Sequence, residues 1–518
     1  MTVTPRKAHR EPWLLPAFGL YVAVLGFTTY CHESWFDEAQ AWLLARDLDV
    51  FRLWFVYLRY EGTPGLWHSM LAIPAKLGLP YGAMHLIANV AAGVAAALVL
   101  WRAPFPWIVR ALLPFTYFLI YQYAVIARSY TLFPAIFFLT ALFLPQARHR
   151  TYVFMLLLIV MANISLHGTL AATGILAAYL VELWRDRNQL SQAEILRHAL
   201  ACGGFVVALM LLAAQLWPPN DLWIFRAPGS LGLRRSAVVA VITQTSEALS
   251  IQYPKIAQVE SMIGWSKGAH AAKALAFLIL GMGPSGLVLA LSMYWFYKMR
   301  TLLYFVLPAG AVLLLSSLVY HNVWHAGVLF LIWLFAMWLT TNRSQASTPA
   351  YICLAWILVL ATQLYASAAT IAFDIANPYS GSREVARYLK SEGLSDRVVF
   401  AAGHESMSVQ PYFTKNVFRN YHNGDKPAFW IWRTSNDFPE VMSSIPPSRP
   451  DVLVLSLRTN AQRAAVDELV RSLPQTEYVV AGRFEGKLYW KTSVMETESF
   501  LLIRKAGKSG LHQQNARH

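Results

Sequence analysis

Trp13-Leu-Leu-Pro-Ala-Phe-Gly-Leu-Tyr-Val-Ala-Val-Leu-Gly-Phe-Thr-Thr-Tyr-Cys31, followed at once by His32-Glu-Ser-Trp-Phe-Asp37-Glu38, decides how this chain is read. The stretch from Trp13 to Cys31 carries no charge. About 20 such residues in a helix cross the roughly 30 Å of hydrocarbon in a bilayer. Arg6, Lys7 and Arg10 stand ahead of it as they would before a secretory signal. No small-x-small cleavage site follows, so the segment reads as a retained first helix. It ends abruptly in a polar stretch rich in carboxylates.

The same pattern recurs along the chain. Apolar stretches at 13–31, 81–101, 107–122, 126–144, 151–167, 169–184, 199–217, 270–296, 302–320, 323–341 and 350–373 give about eleven transmembrane helices. The composition agrees: of 518 residues 56% are hydrophobic and only 14% charged, with a mean hydropathy of +0.41. An ordinary soluble domain has about 25% charged residues, and one this apolar could not cover its surface. Lys and Arg are more than twice as dense in 1–12, 101–110, 145–151, 184–198, 297–301 and 342–349 as in the alternate connections. That bias puts the N-terminus in the cytoplasm and the long loops 32–80 and 218–268 outside. An odd number of spans then puts everything beyond Phe373 outside as well.

From Asp374 the composition becomes that of a water-soluble domain. Arg383–Lys390 and Ala461–Leu473 read as helices, and Val398–Ala402, Asp451–Ser456 and Tyr478–Ala481 as buried strands. Phe484-Glu-Gly-Lys487 reads as a hairpin turn. The expected fold is therefore a polytopic α-helical membrane protein of the inner (plasma) membrane, residues 1–373. It carries a C-terminal soluble α/β domain, 374–505, on the periplasmic or extracellular side, and a disordered basic tail, 506–518. The short apolar segment 62–79 holds Pro64 and Pro74 and reads as a helix lying in the outer interface. Cys31, Cys202 and Cys353 lie in or beside apolar segments and offer neither a disulfide framework nor metal-ligand spacing. A net charge of +15 suits anionic headgroups or a phosphate-bearing lipid, although plain cytoplasmic anchoring charge accounts for most of it.

The chemistry is expected where the first helix leaves the bilayer. Asp37 and Glu38 are adjacent, so in a helix or turn they diverge, and one faces a site while the other supports it. A partly desolvated carboxylate suits general-base work on a hydroxyl. A solvated loop pair is the alternative. Two further motifs follow in outside-facing positions, Glu61-Gly-Thr-Pro64-Gly-Leu-Trp and Ala127-Arg128-Ser-Tyr130. In this order and topology the three motifs resemble those of the GT-C superfamily of membrane glycosyltransferases, the group that includes protein O-mannosyltransferases and lipid A aminoarabinose transferases. The similarity covers roughly residues 13–185.

That resemblance implies a GT-C-like fold and an inverting transfer of a sugar from a polyprenyl-phosphate-linked donor to a hydroxyl of a lipid, glycan or protein, among membrane lipids and with no nucleic acid. It implies Asp37 as the base and Glu38 as a group orienting acceptor or cation. Such a reaction needs cationic help on the leaving phosphate. Arg128 is the first candidate for that help, since a guanidinium grips phosphate oxygens in a bidentate way, with an interfacial anchor as the alternative.

Glu61, Arg59 and His68, around the second motif, are candidates for substrate contact. Tyr130 is a candidate too, or a member of the interfacial aromatic belt. His321 and His325, in Tyr320-His-Asn-Val-Trp-His325, fall on one helical face if the next helix starts there. They would contact phosphate or sugar, or hold a metal with further ligands such as Asp37 or Glu38, with simple interfacial placement as the alternative. His167, expected at the outer end of a helix, is a similar candidate. No cofactor is required and no metal ligand is assigned, while a divalent cation stays open. Loop 218–268 shows no motif and reads as a lid or a plain connection. Two other functions share the same features: a transporter or flippase of lipid-linked sugars, and an oligosaccharide polymerase or ligase. Ionisable residues gathered at the outer boundary, and not at the midplane, weigh against transport.

Overall fold

The computed structural model describes residues 11–222, 237–250, 270–318, 322–344, 347–421, 428–433, 442, 445, 447–474, 476–490 and 493–506. Seven helices among them are long and apolar enough to cross a membrane: Leu14–Cys31, Ala83–Arg102, Ser129–Gln146, Leu166–Arg185, Gln192–Leu216, Val323–Ser344 and Ala350–Ala376. The chain is a predominantly helical, multi-pass membrane protein with a sheet-bearing C-terminal region.

Burial sorts these helices into inner and outer positions. Every residue from Val323 to Thr340 is buried, so Val323–Ser344 is the centre of the bundle, as a helix apolar all round must be. Leu15, Leu20 and Phe27 of the first helix, and Leu200, Val207 and Leu211 of Gln192–Leu216, point outward and exposed. Such an outward apolar ring is the surface lipid would cover.

Several expected spans take a different form. Segment 107–122 is helical only over Trp107–Leu112; Pro114 lies in a tight turn, Thr116 is extended, and a single wide turn follows over Phe118–Gln122. Proline removes one helical donor and clashes with the preceding turn. Thr151–Ala162 and Leu303–Leu318 are apolar but short. Helix His270–Lys298 is kinked at Gly283 beside Pro284. The turn near 167 falls earlier than expected: Ser165 caps the helix Leu166–Arg185 by accepting the Gly168 N–H at 3.3 Å. Loop 218–268 carries a helix, Ala237–Leu249, with Ala240, Ile242, Gln244, Ala248 and Leu249 buried. It is too short to span a bilayer and is covered by the bundle itself. Gln244 donates to the Asn322 carbonyl at 3.0 Å and Gln363 to that of Ala248 at 3.0 Å. Residues 223–236 and 251–269 of that loop, and the expected tail from 507, lie outside the described residues.

The C-terminal region contains β1 (Val399–Ala402), β2 (Val452–Ser456), β3 (Tyr478–Phe484), β4 (Lys487–Trp490), β5 (Ser493–Thr497) and β6 (Phe500–Lys505). Helices Ser382–Ser391 and Asn460–Ser472 stand where the sequence put them. One sheet has the order β1-β2-β6-β3, with β1 and β2 parallel and the other pairs antiparallel; β4 and β5 pair separately. The expected hairpin around Gly486 does not form, because β3 pairs with β6 and β4 with β5. Gly486 instead crosses the strap that joins the last membrane helix to the sheet. A Cβ there would meet Ser380 Cα and the Glu498 carbonyl, each at 2.6 Å.

Two cores hold the assembly together. Phe36, Leu43, Leu44, Leu48, Leu53 and Leu58 of loop 32–80 share one core with Val385, Phe418, Val454 and Phe500. Leu488 and Trp490 of β4 instead join the core of the membrane bundle, and Tyr489 stacks on Phe373 at 4.1 Å. Loop 32–80 and the C-terminal region thus form one body on the same face of the bundle.

Candidate functional site

Helix Phe36–Asp47 positions the site. Its start is set by Glu38, whose carboxylate accepts the Trp35 N–H at 3.2 Å, and by Asp37 and Glu38 in the first turn, where the helix dipole favours negative charge. Its two faces differ. Ala39, Trp42 and Ala45 enter the bundle core, while Leu43 and Leu44 enter the core shared with the sheet. Arg46 donates to the Phe413 carbonyl, and Asp47 accepts the Ala428 N–H at 2.9 Å. Sandwiched in this way, the helix has little freedom to move.

A cavity of about 120 Å³ opens beside it, lined by Asp37, Gln40, Glu61, Thr63, Trp67, His68, Arg128 and Trp432 among others. Asp37 Oδ2 lies 2.9 Å from Arg128 Nη1, and both side chains keep about a quarter of their surface exposed. The Arg128 guanidinium is boxed by aromatic rings, 4.7 Å from Trp324, 5.7 Å from Tyr130 and 6.0 Å from Trp35. Across the cavity, Glu61 accepts from Gln40 Nε2 at 2.7 Å and from Trp432. Burial pushes the Glu61 carboxyl up to about 7, with the charge of Asp37 adding to the effect. His68 is buried with its Nδ1 unpartnered among the described residues, and burial draws it down to about 4, so it stands neutral.

Glu38 faces away from this cavity. It is wholly buried, accepts the Ala127 N–H at 2.8 Å, and lies 3.3 Å from His32 Nε2. His32 Nδ1 in turn lies 2.9 Å from Asp374 of the last membrane helix, which also accepts from Tyr121 at 3.0 Å. Burial disfavours charge on the imidazole, but Asp374 and Glu38 outweigh it and raise His32 to about 10. Burial likewise opposes charge on Glu38, yet His32 holds it below the usual carboxylate range. Glu38 is therefore a brace. Through His32 it ties the helix carrying Asp37 to the last membrane helix, and through Ala127 it holds the backbone one residue before Arg128. The role of orienting an acceptor or cation does not suit its direction.

The remaining expected residues divide. Tyr130 joins the site through Arg128 and leads on to a buried imidazole pair, His167 and His325, whose rings stack 3.9 Å apart. His167 opens its helix and does not close the preceding one. His325 therefore pairs with His167, and His321 lies outside the described residues. Arg59 does not line the cavity; its Nε donates to the Trp217 carbonyl at 2.5 Å. Among the described residues no group of three or more His, Cys, Asp and Glu is arranged to hold a metal ion.

Sequence reasoning missed Gln40, Thr63, Trp67 and Trp432, and the bracing His32, Asp374 and Glu498. Gln40 was within reach, since it lies one helical turn from Asp37. Glu498 accepts the Phe36 N–H at 3.0 Å from 462 residues away, and nothing local signals such a partner. Burial pushes this carboxyl up to about 8 in spite of its donors Ser380 and Phe36. Compared with protein-family models, curated proteins and solved structures, the chain matches none of them.

Proposed function

We propose that the chain is a GT-C-like glycosyltransferase that moves a sugar from a polyprenyl-phosphate-linked donor to a hydroxyl acceptor, by an inverting route at the outer face of the membrane. One observation carries the reading: Asp37 and Arg128 meet at 2.9 Å beside a cavity lined by loop 32–80, by Arg128 and Ser129 at the start of a membrane helix, and by Trp432 of the C-terminal region. A base and a boxed guanidinium are the two groups that such a displacement requires, and the carboxylate must part from the guanidinium for them to act on opposite sides of the anomeric carbon.

A donor phosphate competes with Asp37 for the Arg128 guanidinium, through charge-assisted and bidentate hydrogen bonds. Asp37 is then released toward the acceptor. The acceptor hydroxyl gives its proton to the Asp37 carboxylate as its oxygen bonds to the anomeric carbon. The bond from that carbon to the phosphate oxygen breaks on the opposite side, and the departing electron pair settles on phosphate beside Arg128. No covalent enzyme intermediate arises, so the configuration inverts. Glu61 and His68 remain to contact hydroxyls of the bound sugar.

The test is transfer by the purified chain from a panel of radiolabelled polyprenyl-phosphate sugars to a membrane-glycan extract. Asp37→Asn should insert and fold as the parent does and lose about 10²–10⁴-fold in rate. Parental turnover in that variant would remove the assigned base. Absence of transfer from every donor by folded protein would favour transport of lipid-linked sugars.

A further inference from the structure

The parallel pair β1 and β2 brings two chemically rich turns to one edge of the sheet. β1 ends at Ala402 and continues into Gly403-His404-Glu405; β2 ends at Ser456 and continues into Leu457-Arg458. The start of β6 lies at the same edge, Phe500 facing Ser456, and Glu498 just before it holds the Phe36 N–H. The edge is thus docked beside the residue that precedes Asp37. Loops at the carboxyl ends of parallel strands are where open α/β sheets bind ligands.

Gly403 makes the turn possible. Its φ is +96°, and a Cβ would meet Ser456 Cβ at 2.6 Å and Glu405 Oε2 at 2.8 Å. The turn sets the His404 ring 4.8 Å from Phe36, 5.1 Å from Trp432 and 6.0 Å from Trp430. Phe36 and Trp432 also line the Asp37 cavity, so one aromatic wall is common to both places. Arg458 lies 3.4 Å from His404 Nε2 and 3.7 Å from Glu405 Oε1, and it bonds Glu496. Asp37 is close enough for its charge to act on both His404 and Arg458. Beneath them, Glu405 Oε1 lies 3.2 Å from His404 Nε2, and Ser456 Oγ is fully buried without a hydrogen-bond partner among the described residues.

The charge balance selects the ligand. Glu405 and Glu496 offset Arg458 and the neighbouring Arg463, which is committed to the Leu457 carbonyl and Thr497, and burial draws His404 below the ordinary imidazole value. Among the described residues of this edge no surplus positive charge remains for a phosphate or carboxylate. What remains are the partly exposed Trp432 indole backed by the buried Phe36 and Trp430 rings, a neutral imidazole and paired charged groups that accept and donate hydrogen bonds. That set matches a ring with an apolar face and many hydroxyls.

We propose that the β1–β2 edge, with His404, Arg458, Trp430 and Trp432, is a subsite for a neutral saccharide acceptor, whose reactive hydroxyl reaches Asp37 past Phe36 and Trp432. This deepens the reading of the cavity as a glycosyltransferase site and rests on it for the direction of transfer. Binding itself is independent of transfer. The sheet would then choose the acceptor, while the bundle holds the donor.

Saturation-transfer NMR on the purified full chain in detergent tests it, with neutral hexose di-, tri- and tetrasaccharides, their uronic-acid counterparts and decyl phosphate as probes. Neutral oligosaccharides should bind and uronic acids should bind more weakly. Trp432→Ala should weaken the neutral sugars about tenfold, and Trp432→Phe much less, because it keeps a ring face. His404→Gln should weaken them as well, and decyl phosphate should bind that variant as it binds the parent, because His404 does not line the Arg128 cavity. Unfolding temperatures equal to the parent's confirm that each variant is folded. Failure of every neutral oligosaccharide to bind the parent, or equal binding by Trp432→Ala, overturns the subsite, even if transfer from a lipid donor to another acceptor is found. Saccharide binding that depends on Trp432, with no transfer from any donor, upholds the subsite and overturns the transferase reading instead.

Discussion

Replacing His32 by glutamine should destabilise the protein by removing the cation that holds two buried carboxylates together. The imidazole lies 2.9 Å from Asp374 and 3.3 Å from Glu38, and all three side chains are essentially unexposed. Raising a group from 6.5 to about 10 corresponds to about 5 kcal/mol of differential interaction. Breaking a buried ion pair by deleting one partner typically costs about 3–5 kcal/mol, so both routes give the same order. At roughly 2.1 cal/mol/K per residue, a loss of that size over a chain of 518 residues lowers Tm by about 4 °C.

The pH dependence follows from the direction of the shift. A raised imidazole stabilises the fold fully below pH 6.5, and that contribution is lost as pH rises through about 10. The gap between parent and His32→Gln should therefore be widest near pH 6.5 and close by about pH 10. Adding Glu38→Gln and Asp374→Asn to His32→Gln should recover much of the loss, since no buried charge is then left unpaired. Thermal unfolding in detergent across this range compares both variants with the parent. A His32→Gln protein with the parental Tm at pH 6.5, or a gap that persists unchanged to pH 10, would refute the reasoning.

Arg128→Ala should lower kcat/KM for the lipid donor by about 10²–10³-fold with the acceptor KM unchanged, as loss of one leaving-group contact does; equal donor kinetics would dismiss that role. Glu61 is raised to about 7 by burial, so its contribution to stability is present below pH 4.5 and lost as pH rises through 7. Glu61→Gln should then gain on the parent by up to about 3 kcal/mol above pH 7, and unfolding curves at pH 5 and pH 8 check the sign. Gly486→Ala should lower Tm through about 1–3 kcal/mol of overpacking where the strap crosses, whereas an unchanged Tm would mean that the crossing yields freely.

The sequence by itself determined that the chain is a helical, multi-pass membrane protein, because apolar runs are local properties of the chain. Helices Leu14–Cys31 and Ala83–Arg102 fall within a residue or two of where hydropathy put them. The regular strands β1 and β2 and helix Asn460–Ser472 were equally legible, since each rests on its own periodicity. Asp37, Glu61, His68 and Arg128 were legible as short motifs and do meet around one cavity.

Only the tertiary structure decided what each carboxylate faces. Asp37 and Glu38 are neighbours in sequence, and a rotation of about 100° per residue sends one to the cavity and the other to His32 and Asp374. Asp374 and Glu498 act on the first loop from hundreds of residues away, through contacts that no local pattern encodes. Trp432 likewise enters the cavity wall because Gln40 exchanges two hydrogen bonds with the Trp430 backbone. The docking of the sheet on loop 32–80 is a property of two apolar faces meeting, and neither face shows its partner until the chain has folded.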